Sequence, residues 1–286
     1  MNRTAIVMDS TGYLTSDILS KHHIQVVPLH VTVGEETFLE TELTNEALFS
    51  KLKQISGFST TSQPSVGAFL DIYEGLFSQG VEEIVSIHLS RALSGTLVSA
   101  QMARELASNK NIHIFDSGSV ALSFGLLAWA AAEWADAGLS AATIMDKLAA
   151  LKEKTELYFI VETLENLRRG GRIGGGAALV GTLLQIKPIL YINERGEIDV
   201  FDKVRSRARA WERVRRELDA RLACGGSYRI CVLHVSSPEL AGNIVQELQK
   251  AYPHQDIRLF EAGPVIATHV GPGAVGLAFH PWSGTP

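Results

Sequence analysis

Cysteine is scarce in this chain, which carries only Cys224 and Cys231 among 286 residues. Two cysteines exclude a disulfide framework, and without companion ligands they make a poor zinc site. Long apolar runs are also missing, since the longest one, Val120 to Ala132, has 13 residues, whereas a membrane-spanning helix needs roughly 20. The segment Ala5–Met8 comes without the pattern of a secretory signal. We therefore expect a soluble protein of the reducing cytoplasm.

The sequence motifs of common catalytic sites are absent as well. Neither the phosphate-binding loop G-x-x-x-x-G-K-[ST] nor the nucleophile elbow G-x-S-x-G occurs. Paired carboxylates and histidines at metal-ligand spacing are missing too. A net charge of −5 gives no general attraction to nucleic acid or to anionic membranes. No nucleotide, metal or other cofactor is expected from this pattern.

Short β-rich runs alternate with helical patterns in the first half of the chain. Such alternation is typical of βαβ units, which build a parallel sheet covered by helices. The predicted strands are Thr4–Met8, Val26–Val33, Glu83–Leu89 and Asn111–Phe115, and the predicted helices are Asp17–Lys21, Asn45–Lys53, Val66–Gln79, Leu97–Ser108, Leu122–Ala137 and Ala141–Lys154. We predict an N-terminal α/β domain of three layers over residues 1–155.

The rest of the chain, residues 156–286, is predicted to form a second α/β domain with a mixed sheet. A turn containing glycine at Asn193–Gly196 indicates a hairpin between Pro188–Ile192 and Glu197–Val200, so these two strands run antiparallel. The other predicted strands are Tyr158–Glu162, Tyr228–Val235 and Ile257–Glu261, and the helices are Leu164–Arg169, Ala177–Leu184, Ser206–Ala223 and Pro238–Ala251. The fold class is therefore α/β with two domains.

Four short polar motifs interrupt this apolar pattern. They are Thr61–Ser65, Leu93–Thr96, Gly170–Ile173 and His269–Gly273. Together they offer hydroxyls, one guanidinium and one imidazole, each beside glycine or proline. A guanidinium binds carboxylate or phosphate as a fork, and hydroxyls donate to the same groups. The set predicts a binding site for one small anionic group before it predicts an active site.

Each motif also has a plainer interpretation. Ser94 lies between a strand and a helix, so it can cap the helix and still face an anion there. Ser65 is interpreted as the N-cap of the next helix, which leaves Thr61 and Ser62 free to donate to a ligand. Taken alone, Arg172 is more often a surface residue. A single histidine such as His269, in what we predict to be a tight loop, is more often structural than catalytic.

A basic segment stands out between Lys203 and Arg221. It holds eight Lys or Arg residues against three acids, a local charge of 8 − 3 = +5 in a chain whose net charge is −5. Arg205, Arg209 and Arg213 follow one helix face at four-residue spacing, and Arg216 continues it three residues further on. The segment is either a solvated helix face or a docking surface for an acidic partner. Nucleic-acid binding ranks third, because no recognition motif accompanies the charge.

In this order, the four motifs resemble those of the DegV family. Further matching segments carry the resemblance over essentially the whole chain: Asp9–Thr11, Asp116–Ser117, Ile186–Leu190 and Gly263–Ile266. One departure is Gly174–Gly176, where a serine is common. The resemblance implies a two-domain α/β protein that binds one long-chain fatty acid between its domains.

The resemblance also implies roles for residues of the motifs. In the family, hydroxyls of the T-S-x-P-S and L-S-G-T motifs hold the carboxylate, with the histidine of the final motif nearby. The ligand-binding residues expected here are Thr61, Ser62, Ser94, Gly95, Thr96, Arg172 and His269. The apolar stretches 122–132 and 177–190 are candidates for lining the tail tunnel, although core packing is the commoner role for most of their members.

Members of the family in Gram-positive bacteria serve as the fatty-acid-binding subunit of fatty acid kinase. Such a subunit presents the carboxylate to a separate ATP-binding subunit and carries away the acyl phosphate, so this chain alone is not expected to be an enzyme. By similarity, Lys203 and Arg205 would face that kinase subunit. Transient contact with a membrane is compatible with this role, and nucleic acid is not an expected partner.

Two alternatives stay open at this point. A stand-alone serine hydrolase or acyltransferase would use Ser94 as the nucleophile and His269 as the base, because such sites are defined by geometry rather than by chain order. A nucleic-acid or regulatory binder would act through the basic helix.

Overall fold

The computed structural model describes residues 4–55, 57–179 and 186–282. The strands are β1 (Thr4–Asp9), β2 (Gln25–Val27), β3 (His30–Val33), β4 (Glu36–Leu39), β5 (Ser59–Ser62), β6 (Glu83–His88), β7 (Ile112–Asp116), β8 (Glu156–Ile160), β9 (Lys187–Ile192), β10 (Ile198–Val204), β11 (Tyr228–His234), β12 (Asp256–Glu261) and β13 (Val275–Pro281). The α-helices are α1 (Ser16–Lys21), α2 (Asn45–Ile55), α3 (Val66–Ser78), α4 (Thr96–Leu106), α5 (Leu122–Asp136), α6 (Ala141–Lys152), α7 (Glu165–Arg169), α8 (Arg207–Leu222), α9 (Pro238–Ala251) and α10 (Pro264–Val270).

A parallel sheet in the order β2-β1-β6-β7 forms the centre of the first domain. Side chains alternate across it, because successive residues of a strand point to opposite faces. Ile6 and Met8 of β1 belong to the apolar cluster that contains α5, whereas Val7 belongs to the cluster of α3 and α4. This confirms the predicted three-layer arrangement.

Helix α5 lies inside the protein rather than on its surface. Every residue from Leu122 to Ala135 is buried, and the helix contacts β1 and β6 of the parallel sheet and β13 of the second domain. A helix that is apolar on all sides is typical of such a position. Residues 122–132 are therefore core residues between the two sheets.

A small antiparallel sheet, β4-β3-β5, was not predicted. The single strand predicted at Val26–Val33 is in fact two strands in two different sheets, divided at Pro28 and Leu29. Proline has no N–H to continue a ladder, so the chain leaves the parallel sheet there. In the small sheet Thr61 of β5 is paired with Val31 of β3.

A mixed sheet of six strands, in the order β10-β9-β8-β13-β11-β12, forms the second domain. Only β11 and β12 are parallel neighbours, and the predicted hairpin is β9 with β10. Strand β13 was missed, because its continuous apolar run, buried on both faces, carries no alternation. The predicted helix at Ala177–Leu184 falls largely outside the described residues, and a 3₁₀ helix covers Gly174–Leu179.

Helix α10 comes from the second half of the chain but packs on the first domain, against α2, β3 and β5. Asn45 of α2 donates from Nδ2 to the Ala262 carbonyl at 2.7 Å, and the hydroxyls of Ser59 and Thr268 are 2.8 Å apart. These contacts hold the two domains together beside α10. The boundary at residue 155 stays a prediction. Within the described ranges, no helix is long and apolar enough to cross a membrane.

Candidate ligand-binding site

A cavity of about 340 Å³ lies between the two domains, within the usual range of small-molecule sites, roughly 300–1,000 Å³. The first domain contributes ends of its strands and the loops that follow them, and the second contributes the mixed sheet and α10. The apolar lining includes Leu29, Leu89, Val120, Leu157, Phe159, Leu167, Ile198, Leu233 and Val265. Residues 186–190, the end of the stretch 177–190, do not line the cavity. Residues 122–132 do not line it either. Residues 122–132, Ile189 and Leu190 instead belong to the apolar cores, which is the commoner role named for these stretches from the sequence.

Most of the predicted site residues do line this cavity. Those that do are Thr61, Ser62, Ser94, Gly95, Arg172 and His269. Thr96 lies behind them, fully buried, with its hydroxyl 2.9 Å from Ser94 Oγ. The four motifs come from four different places in the fold, namely β5, the start of α4, the end of α7 and α10, so the fold and not the local sequence brings them together.

Thr61 and His269 meet across the domain boundary. Thr61 Oγ1 is 2.8 Å from His269 Nε2. His269 lies in the last turn of α10 rather than in a loop, and the tight loop begins only at Gly271, where φ is 76°. The helix fixes the direction of the imidazole, and β5 fixes the hydroxyl that it meets.

The His269 imidazole is held neutral by its surroundings. Burial, reinforced by the positive charge of Arg172, lowers its pKa from 6.5 to about 4. Its Nδ1 is buried without a hydrogen-bond partner and faces Gly170. A Cβ at Gly170 would lie 2.4 Å from Nδ1, so glycine is required there for the ring to keep its place.

Arg172 connects the two domains at this end of the cavity. Its Nε donates to the Leu93 carbonyl at 3.1 Å, and its Nη1 donates to the Gly170 carbonyl at 2.6 Å. The side chain is half-buried. Two carbonyl acceptors orient the guanidinium without neutralising it, because carbonyls carry no net charge.

The loop with Ser94 departs from the predicted capping pattern. Helix α4 starts at Thr96 with Gly95 as its N-cap, and Ser94 Oγ accepts from the Thr96 N–H at 3.3 Å. Ser65 does cap α3 as predicted, accepting from the Ala68 N–H at 3.1 Å. Ser94 therefore faces the cavity from just outside the helix.

Two residues of the site region were not anticipated. Gln63 lines the cavity and donates from Nε2 to Ser99 Oγ at 3.1 Å. Glu40 is buried and anchors the start of α10 by accepting from the Val265 N–H at 2.9 Å. No sequence signal marks Glu40, because it is one of several acids in a polar stretch.

Glu40 is the centre of a buried hydrogen-bond network. Its carboxylate accepts from the Ser10 hydroxyl, and it accepts from the Tyr13 hydroxyl at 2.6 Å. Tyr13 OH in turn accepts from the Ile266 N–H at 3.2 Å. Burial raises the pKa of Glu40 from 4.5 to about 7, although these donors favour the charged form.

Lys203 and Arg205 are exposed and lie away from the cavity. Lys203 is on β10, the edge strand of the mixed sheet, and Arg205 follows it. The predicted basic face of α8 is broken by ion pairs. Arg213 binds Asp202 at 3.1 Å as well as Glu217, and Arg216 binds Glu212 at 2.6 Å.

The pair considered for a hydrolase is engaged elsewhere. Ser94 Oγ bonds with Thr96, and His269 Nε2 bonds with Thr61. A chain of Asp9, His88 and Ser86 has contacts of 3.2 and 2.7 Å, but all three side chains are fully buried beside the parallel sheet. Its serine meets Tyr73 rather than a cavity. Among the described residues, no group of three or more His, Cys, Asp or Glu is placed to hold a metal ion.

Fold and cavity together define a class of protein: two α/β domains enclosing an apolar cavity that ends in hydroxyls, a neutral imidazole and a guanidinium. The sequence model described as "Uncharacterised protein, DegV family" matches residues 3–281. A DegV domain-containing protein of Listeria innocua is 37% identical over 278 residues, which is 97% of this chain and 98% of the relative. The chain belongs to the DegV family.

Solved structures agree with this assignment. The crystal structure of DegV from Bacillus subtilis, described as a fatty acid binding protein, is 36% identical, with a TM-score of 0.90 over 98% of this chain and 99% of that one. A DegV family protein of Thermus thermophilus, described for its fatty acid binding, is 30% identical, with a TM-score of 0.91 over 98% of this chain and 100% of that one. The resemblance expected from the motifs is thereby confirmed.

Proposed function

We propose that this chain binds one long-chain fatty acid in the cavity between its domains. The observation that carries the proposal is an apolar cavity whose lining also includes Thr61, Ser94 and His269. Two relatives of the same fold are described as binding fatty acids. The tail lies among the apolar residues, and the carboxylate lies at the polar motifs.

The affinity of this arrangement comes mainly from the tail. Each methylene removed from water contributes about 0.8 kcal/mol. The carboxylate contributes orientation, and it must keep hydrogen bonds, because an unpaired buried charge is costly. Apolar tail and polar head thus need the two kinds of lining that this cavity offers.

Thr61 is well placed to donate to the carboxylate. A neutral His269 can carry its proton on Nε2 and donate to Thr61 Oγ1, which is 2.8 Å away. The threonine hydroxyl is then free to donate its own proton to a carboxylate oxygen. Ser94 supplies a second hydroxyl, and Arg172 adds a positive charge nearby.

We further propose that the bound carboxylate is the substrate of a separate ATP-binding kinase subunit. In that reaction a carboxylate oxygen forms a bond to the γ-phosphorus of ATP, the bond from that phosphorus to the bridging oxygen breaks, and ADP leaves. The support is the family resemblance together with the exposed cations Lys203 and Arg205, which can meet an acidic partner.

Native mass spectrometry of the purified protein, followed by lipid extraction, tests the binding proposal. We expect a 1:1 adduct with the mass of a fatty acid. Thr61→Ala should weaken palmitate binding by about tenfold or more, because it removes a hydrogen bond to a charged group. Thr37→Ala is the matched control, since Thr37 belongs to the same small sheet but does not line the cavity.

Two results would contradict the binding proposal. A protein that carries no lipid and does not take up added palmitate does not bind fatty acids. If Thr61→Ala bound palmitate with unchanged affinity, the cavity could still be the binding site, but the Thr61 hydroxyl would not have the role proposed for it.

The kinase proposal is tested with the palmitate-loaded protein, ATP and a purified ATP-binding fatty acid kinase subunit. Hydroxylamine trapping should detect acyl phosphate only when both proteins are present. The double variant Lys203→Ala/Arg205→Ala should keep its palmitate affinity and lose most of the acyl phosphate signal. An acyl phosphate signal from this chain and ATP alone would contradict the proposal that a separate subunit supplies the kinase activity.

A further inference from the structure

A second cavity, of about 630 Å³, adjoins the polar end of the first. Thr61, Arg172 and His269 line both cavities and form the partition between them. We call the second cavity the arginine groove; it is also lined by Phe49, Phe58, Asn166, Arg169 and Thr268. A group attached to the carboxylate and directed away from the tail would enter this groove.

The arginine groove is positively charged. Its described lining includes Arg169 and Arg172 and no acidic residue. Glu165, in the first turn of α7, pairs with Arg169 but also accepts from Arg168 at 2.7 and 2.9 Å. Two guanidinium groups thus share one carboxylate, which leaves a net charge of +1 before Arg172 is counted.

Aromatic packing orients the Arg169 side chain. Its guanidinium carbon lies 3.4 Å from the centre of the Phe58 ring. Such stacking restricts the long side chain and leaves the N–H groups at the edge of the guanidinium directed outward. Arg169 is 39% exposed, so an anion in the groove can reach it from solvent.

The two sides of the partition therefore suit different anions. Hydroxyls and a neutral imidazole on the cavity side suit a carboxylate with one negative charge. A phosphoryl group carries nearly two charges and three acceptor oxygens, and guanidinium groups match it best. The charge of the groove exceeds what a fatty acid alone requires.

We propose that the arginine groove is a phosphoryl subsite, in which Arg169 contacts the phosphate of an acyl phosphate whose tail occupies the first cavity. This inference rests on the proposed function, because it takes the fatty acid as the group that becomes phosphorylated. It adds a binding residue and a place for the product before release.

The test compares two ligands of equal tail length. One is palmitate, and the other is the phosphonate analogue of palmitoyl phosphate, in which CH₂ replaces the bridging oxygen and prevents hydrolysis. Arg169→Gln should weaken binding of the analogue by about tenfold or more and binding of palmitate by less than about twofold. The reason is that only the analogue loses hydrogen bonds to a charged group. Added salt should also weaken the analogue more than palmitate.

Arg216→Gln is the matched control, because Arg216 likewise pairs with a glutamate four residues earlier, Glu212, but lies on α8 and lines neither cavity. It should leave both affinities unchanged. Arg169→Lys keeps the charge and should restore part of the analogue affinity, which separates a charge effect from misfolding. If Arg169→Gln lost affinity equally for both ligands, or lost none for the analogue, the proposed phosphoryl subsite would be overturned. Failure of palmitate to bind wild-type protein would instead overturn the proposed function.

Discussion

Glycine is required at position 170 because the His269 imidazole lies directly beside it. The φ of Gly170, −72°, is open to any residue, so backbone conformation does not require glycine. The requirement is space, since any Cβ would collide with His269 Nδ1. The glycine–arginine motif thus supports the site in two ways, by making room for the histidine and by accepting from Arg172 through the Gly170 carbonyl.

Gly170→Ala should therefore displace His269 and weaken palmitate binding by about tenfold, with a loss of stability of about 1–3 kcal/mol from overpacking. Titration calorimetry and urea unfolding measure the two effects. Gly75→Ala, inside α3, where the added carbon meets nothing within 4 Å apart from the adjacent residues and backbone of its own helix, should leave affinity unchanged and raise stability by about 0.5–1 kcal/mol. Wild-type affinity in Gly170→Ala would show that the ring position is unimportant.

The motif residues could be found from the sequence because hydroxyls, glycine and a guanidinium in short polar segments indicate anion binding. Gln63 lies within the Thr61–Ser65 motif but was not among the expected ligand-binding residues, and Glu40 could not be found in this way. Glu40 acts only through partners that are far away in the chain, such as Val265, and no local pattern encodes such a contact. The same reason explains why Arg169 carried no signal, since its relation to Phe58 arises from the fold.

At the scale of elements, helix α10 is the part that joins the site to the rest of the protein. It carries His269, and Glu40 holds its first turn through the Val265 N–H and, by way of Tyr13, the Ile266 N–H. Asp9 is a further acid whose charge acts on Glu40. The anchoring of α10 thus depends on a carboxylate that exchanges its proton near neutral pH.

The pH dependence of stability should reveal this carboxylate. A carboxyl group whose pKa is raised on folding stabilises the protein below its unfolded pKa, near 4.5, and that contribution is lost as pH rises through about 7. Relative to Glu40→Gln, wild-type protein should lose about 1–3 kcal/mol between about pH 5 and about pH 8. Urea unfolding at a series of pH values measures it. Parallel pH profiles for the two proteins would show that Glu40 does not titrate in this range.

Periodicity predicted most elements, and its failures have physical causes. Helices with one apolar face and short parallel strands between them were found with nearly correct bounds, for example α9 at Pro238–Ala251. Strand β5 was missed because Ser59–Ser62 is wholly polar and is paired in a small surface sheet. Helix α10 was not predicted, and His269 was placed in a loop, because the helix has only seven residues and lies between glycines.

At the scale of the whole molecule, contacts on two sides hold the domains together. On one side are Arg172, α10 with its hydrogen bonds to β5, and Asn45 of α2, which donates to the Ala262 carbonyl just before α10. On the other side is Arg229 of β11, which is buried between Trp129 and Trp282 and donates to Glu133 of α5 at 3.1 Å. A buried and paired charge between aromatic rings resists separation, since either partner alone would be left uncompensated. The cavity thus lies between domains that are fixed on both sides.

The hydrogen bond between Thr61 and His269 joins residues 208 positions apart, and the bond from Val265 to Glu40 spans 225. During synthesis from the ribosome, the parallel sheet can form long before these partners exist, because N-terminal domains fold first. Until α10 has been synthesised, Thr61 of β5 and the Glu40 carboxylate lack their hydrogen-bond partners in that helix. The proposed binding site is therefore completed only after α10 has been synthesised, because α10 supplies His269.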